Sequence, residues 1–174
     1  MKINRKSVLL ASAVFLLIAL TVTPLLTMSV LSDSLQDASV GDKYTVITIN
    51  GKAITRIEGE IVTEDASVWL VCQITEKHRN EVLFKVTEGV IEVNGTAYEV
   101  IPRWWRGYYN KRTKTAWYQG YAQDEGGNKA YFGLHTIDTE STPEGCFMRM
   151  VGAFRTPEKV YWKLVVQTYR YKSA

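Results

Sequence analysis

From residue 43 to residue 172 apolar and polar side chains alternate with a period of two, broken by turn-forming residues about every ten positions. Successive side chains of a strand point to opposite faces, so this pattern describes half-buried β-strands. No stretch of the segment carries the spacing of an amphipathic helix. Inward sets follow from the alternation: Val68, Leu70, Cys72 and Ile74, then Val82, Phe84 and Val86, then Ala116, Tyr118, Gly120 and Ala122. Ala130, Phe132 and Leu134 form the next, followed by Cys146, Met148, Met150, Gly152 and Phe154, and by Val160, Trp162, Leu164 and Val166.

Two Asn-Gly pairs are the sharpest local signals, because a two-residue type I′ turn needs positive φ at both positions. A turn at Asn94-Gly95 pairs Val93 with Thr96 and Ile91 with Tyr98. A turn at Asn50-Gly51 would pair Ile49 with Lys52 and place Tyr44, Val46, Ala53, Ile57, Gly59 and Ile61 on one inward face. About nine strands result, joined by short connections, so neighbours in sequence are antiparallel neighbours in space. A lone sheet of that size would leave an apolar face bare. The expected fold is therefore all-β, an antiparallel meander closed into a barrel in preference to a two-sheet sandwich, with Gly59, Gly120, Gly133 and Gly152 at tight bends.

The segment ahead of the strands is different. Lys2, Arg5 and Lys6 precede 24 uncharged residues, 8–31, long enough as a helix to cross a bilayer core. Residues 1–32 read either as an export signal cut before Asp33, or as an uncleaved anchor whose basic end stays in the cytoplasm. The anchor is preferred, since the run is long for a signal, although Pro24 suits one. Both place residues 43–174 outside the cytoplasm, with 33–42 as a short linker. An oxidising compartment favours pairing the two cysteines, Cys72 and Cys146, as a disulfide. Asn94-Gly95-Thr96 also matches a glycosylation sequon.

Charge excludes a strongly cationic nucleic-acid binder. The formal charge is +3, and the three basic residues of the leader account for it. Residues 33–99 carry 6 basic and 12 acidic groups and residues 100–174 the reverse, a contrast that cross-strand pairing between the halves would satisfy.

Chemistry is sparse. His78 and His135 have no metal-ligand spacing, and no nucleophile elbow or phosphate-cradling glycine loop occurs. Cys146 with His135 is a conceivable nucleophile and base, Glu58 with Glu60 a carboxylate pair, and Asp124 with Glu125 a calcium-like turn. A buried thiol, a solvated strand face and an ordinary turn explain them better. No enzyme, metal or cofactor is expected.

One segment stands apart. Residues 102–123 hold five basic groups and seven aromatics and no acid. Aromatic faces interleaved with cations stack on sugar rings or sit at a headgroup layer, and arginine adds paired hydrogen bonds to carboxylate or sulfate. The candidate binding surface is Arg103, Trp104, Trp105, Arg106, Tyr108, Tyr109, Arg112, Trp117 and Tyr121. In a strand Trp104 and Trp105 face opposite ways, so at most one of them belongs to the core. The expected role is a non-catalytic binding or envelope-associated domain, held to the membrane through residues 8–31 and contacting cell-surface glycans or anionic lipid headgroups. The alternative is a barrel carrying an apolar ligand among Phe132, Met148, Met150, Phe154 and Trp162.

Overall fold

The computed structural model describes residue 35 and residues 37–173. The expected leader and its hydrophobic helix lie outside the described residues, among which no helix is long and apolar enough to cross a membrane. Nine strands form one antiparallel sheet: β1 (Lys43–Ile57), β2 (Glu60–Lys77), β3 (Glu81–Val93), β4 (Thr96–Val100), β5 (Arg106–Asn110), β6 (Thr115–Gln123), β7 (Lys129–Ser141), β8 (Gly145–Arg155) and β9 (Tyr161–Lys172). A 3-10 turn at Pro102–Trp104 separates β4 from β5. These two short strands share the place between β3 and β6, β4 pairing with residues 90–93 of β3 and β5 with residues 81–84. β9 pairs with β1 and β2 with β3, so every strand has a partner on both sides.

The Asn94-Gly95 turn forms as read, with φ of 53° and 72° and the pairs Val93↔Thr96 and Ile91↔Tyr98. The Asn50-Gly51 turn does not. β1 runs straight through it, paired with β2 on one side and β9 on the other, with register shifts beside it on both ladders. Gly51 is needed there because a Cβ would strike the carbonyl oxygen of Ala66 and the Val166 side chain. The hairpin turns instead at Glu58-Gly59, both at positive φ, pairing Ile57 with Glu60. Ile57 and Ile61, expected inside, are 48% and 69% exposed. Pairing of β1 with β9 ends at Ile54↔Lys163, and the hairpin tip stands beyond the packed interior.

The inward sets of β2, β3, β6, β7, β8 and β9 fill the interior as the alternation requires, except that Gly152 and Val160, the latter just ahead of β9, are half-buried. Aromatic rings pack toward the end near Phe154, with Tyr98–Phe154 at 4.9 Å and Trp105–Phe132 at 5.3 Å between centroids. The opposite end is covered by residues preceding β1. Leu35 and Ala38 are buried, and the segment is held by Gly41 donating to the Ile74 carbonyl and the Ile74 N–H to Asp42. The expected linker is thus partly core. The five residues suggested as a ligand lining, Phe132, Met148, Met150, Phe154 and Trp162, pack against one another and their neighbours at 5% exposure or less. A void between Leu35, Tyr44, Cys72, Phe84, Tyr118 and Arg170 measures about 10 Å³, room for no more than a water molecule.

The disulfide does not form: Cys72 and Cys146 are both buried thiols. Two strands, β1 and β9, lie between β2 and β8. Three inter-strand steps separate the cysteines by roughly 14 Å along the sheet, whereas a bridge needs Cα atoms within about 7 Å. Burial pushes the Cys72 thiol up to about 12, with Arg170 opposing the rise. That arginine is itself 1% exposed, its guanidinium 5.2 Å over the Tyr109 ring and its Nη1 3.7 Å from the Met148 sulfur.

Candidate binding face

The expected surface divides by strand phase. Trp105 and Tyr109, at 2% and 0% exposure, face the interior and leave the candidate surface. Gly120 makes the room for Trp105, whose indole lies where a side chain of β6 would be and donates from Nε1 to the Tyr121 carbonyl. Gly107 likewise yields its place to the Phe84 ring. Arg103, Trp104, Arg106, Tyr108, Arg112 and Tyr121 are exposed and Trp117 is half-buried. Arg112 sits in the β5–β6 turn, where its N–H donates to Asn110 Oδ1.

The outward side chains of β6 to β9 complete the face. Cross-strand register lines up Tyr121, Tyr131, Arg155 and Tyr161 in one row, then Gln119, Gly133, Ala153 and Lys163, then Trp117, His135, Val151 and Val165. Tyr121 meets Tyr131 edge to face at 5.6 Å, Trp104 leans edge to face on Tyr121 at 6.4 Å, and Arg103 lies 5.4 Å over Trp104. Arg155 lies 5.1 Å over the Tyr161 ring. Trp117 and His135 stack at 5.4 Å with 14° between their planes. Tyr131 folds along its own strand, its hydroxyl 3.6 Å from where a Gly133 Cβ would stand, so its ring lies over the sheet.

Two shallow grooves follow from this relief. One, of about 430 Å³, is lined by Tyr121, Lys129, Tyr131, Arg155, Lys159 and Tyr161, with Thr156 and Pro157 at its rim. The other, of about 390 Å³, has Trp117, Tyr131, His135, Val151 and Lys163 around a floor of Gly133, Gly152 and Ala153. Tyr131 belongs to both. No aspartate or glutamate lines either groove.

Tyr131, Arg155, Tyr161 and Lys163 were not among the expected binding residues. Their signal was present, since the outward phases of β7 up to Ile137, of β8 and of β9 carry no acid, but only cross-strand register brings them beside Tyr121.

The remaining chemical candidates stay apart. His135 is on the outer face and Cys146 points inward, so they make no pair. His78 lies 3.3 Å from Glu76 on the surface. Glu58 and Glu60 are exposed at the hairpin tip. The Asp124 carboxylate accepts hydrogen bonds from the Asn128 N–H and Nδ2, which hold it below its ordinary range and close the β6–β7 turn. Of the ion pairs seen, Lys172–Asp42 joins the acidic and basic halves, while Lys52–Asp65 and Arg149–Asp138 each lie within one. Among the described residues no ion pair joins Lys129, Arg155, Lys159 or Lys163 to the acidic half. No family model, curated protein or solved structure is significantly similar to this chain.

Proposed function

We propose that the chain is a non-catalytic binding module that works outside the cytoplasm, attached through residues 8–31 or released if the leader is cut. Its sheet is read as a closed barrel, because a ladder with partners on both sides of every strand has no edge to leave open. The outer face of β6 to β9 is its binding surface, for glycans or other anionic cell-surface groups.

The observation that carries this reading is the row Tyr121, Tyr131, Arg155 and Tyr161, three exposed aromatics and a guanidinium with no carboxylate among the groove residues. Structural packing does not require such a row on the outside of a domain whose interior is already full. The packed interior also gives no support to a carrier of apolar ligands.

The test is a binding screen of the full-length chain against immobilised glycans and anionic vesicles at low and high salt, beside Tyr121→Ala and Tyr131→Ala. The proposal expects a salt-sensitive ligand that both variants lose while keeping their near-UV circular dichroism. Retention by both variants would place the binding elsewhere.

A further inference from the structure

Building on that reading, we infer that the ligand is an acidic oligosaccharide of at least two rings, laid along β7 with one ring on Tyr131 and its carboxylate or sulfate groups at Arg155 and Lys163. Three features of the face lead to it. The first is length: Tyr131 lines both grooves, and from it to His135 in the second is four residues or roughly 13 Å along the strand. A single sugar ring would cover about half of that span. The second is shape. Gly133 and Ala153 keep the floor level beside the Tyr131 ring, which suits the flat face of a pyranose and offers no deep socket for a protein side chain.

The third is charge. Arg155 is in no ion pair among the described residues, and neither is Lys163. The Arg155 guanidinium lies 5.1 Å over the Tyr161 ring, a contact that holds it on this face, where its N–H groups can meet two oxygens of an anion. Lys163 stands one strand over and two residues on, about 8 Å from Arg155 by strand geometry, a separation that calls for a second anionic group. Glu158 lies in the β8–β9 turn and lines neither groove.

A long polyanion such as single-stranded nucleic acid fits less well. It would track past the face onto strands β1 to β4, which carry eight acids against five bases.

The experiment is calorimetric titration of the full-length chain with a tetrauronide, a sulfated tetrasaccharide, a neutral tetrasaccharide, the uronic acid monosaccharide, anionic phosphatidylglycerol vesicles and an oligothymidylate. One or both acidic tetrasaccharides should bind at least ten-fold more tightly than the neutral tetramer and the monomer; which one separates carboxylate from sulfate recognition. Tyr131→Ala should weaken that binding about ten-fold and Tyr131→Phe hardly at all, as stacking requires. Arg155→Gln and Lys163→Gln should each weaken it and flatten its salt dependence.

Equal binding of neutral and acidic tetramers would overturn the inference and leave the binding face standing. So would Tyr131-dependent binding of only the vesicles or the oligothymidylate, or a Tyr131-dependent self-association in place of sugar binding. Acidic-sugar binding untouched by Tyr131→Ala, Arg155→Gln and Lys163→Gln together would overturn both the inference and the face.

Discussion

A methyl group added at Gly120 would come within 2.5 Å of the Trp105 ring, about 1 Å inside ordinary carbon contact. The indole has nowhere to go: it is 2% exposed, packs 5.3 Å from Phe132 and donates to the Tyr121 carbonyl. Overpacking of this kind costs roughly 1–3 kcal/mol. Loss of the indole hydrogen bond adds about 0.5–1.5 kcal/mol. Against these, alanine recovers roughly 0.5–1 kcal/mol of backbone entropy relative to glycine. Gly120→Ala should therefore destabilise the fold by about 2 kcal/mol, a fall in Tm of roughly 7 °C for a domain of this size.

Gly133→Ala is the matched control. Its nearest neighbour would be the Tyr131 hydroxyl at 3.6 Å, an ordinary contact, so the substitution should be neutral or slightly stabilising. Urea unfolding followed by tryptophan fluorescence and far-UV circular dichroism gives both values on one scale. Adding Trp105→Leu removes the overlap, so the double-mutant cycle should return a coupling of at least about 1 kcal/mol. A Gly120→Ala stability within about 0.5 kcal/mol of the wild type, or an equally destabilising Gly133→Ala, would show that Trp105 does not fill the space over Gly120.

Other outcomes follow from single residues. Glu58 holds φ of 52° ahead of Gly59, a conformation that costs a side chain other than asparagine or glycine about 1 kcal/mol; Glu58→Asn should raise the urea midpoint. The Tyr109 hydroxyl is buried with no hydrogen-bond partner among the described residues, so Tyr109→Phe should be neutral or stabilising by up to about 1 kcal/mol in the same assay. Cys72 keeps its proton to about 12, whereas an unfolded thiol releases it near 9.0. Below that lower value both states are protonated and the stability is complete; above it only the unfolded state ionises, so stability falls as pH rises from about 9 toward 12. Cys72→Ala should flatten the alkaline slope of the unfolding free energy, and neither thiol should react with a disulfide reagent at pH 8 until urea opens the domain.

Much of the β-domain could be read from residue order because its determinants are local. Alternation placed Val68 through Ile74, Ala130 through Leu134 and Trp162 through Val166 inside, where they are, since a strand in a sheet with one buried face has no other way to hide its apolar side. Asn94-Gly95 made its turn for the same reason. The binding face was half legible. Tyr121 and Trp117 lie in a conspicuous cluster, but Tyr131, Arg155 and Tyr161 look unremarkable in their own strands.

What the tertiary structure decided are the choices between locally equivalent options. Asn50-Gly51 and Glu58-Gly59 could each have turned; pairing of β1 with both β2 and β9 selected the second, because a turn at the first would leave one of those ladders without its partner. Trp104 and Trp105 could each have been the core residue; the space above Gly120 admitted Trp105. Cys72 and Cys146 shared an inward phase, but the strand order put two strands between them. Alternation thus determines which face a side chain takes, while strand order and register, set by global packing, determine which side chains become neighbours.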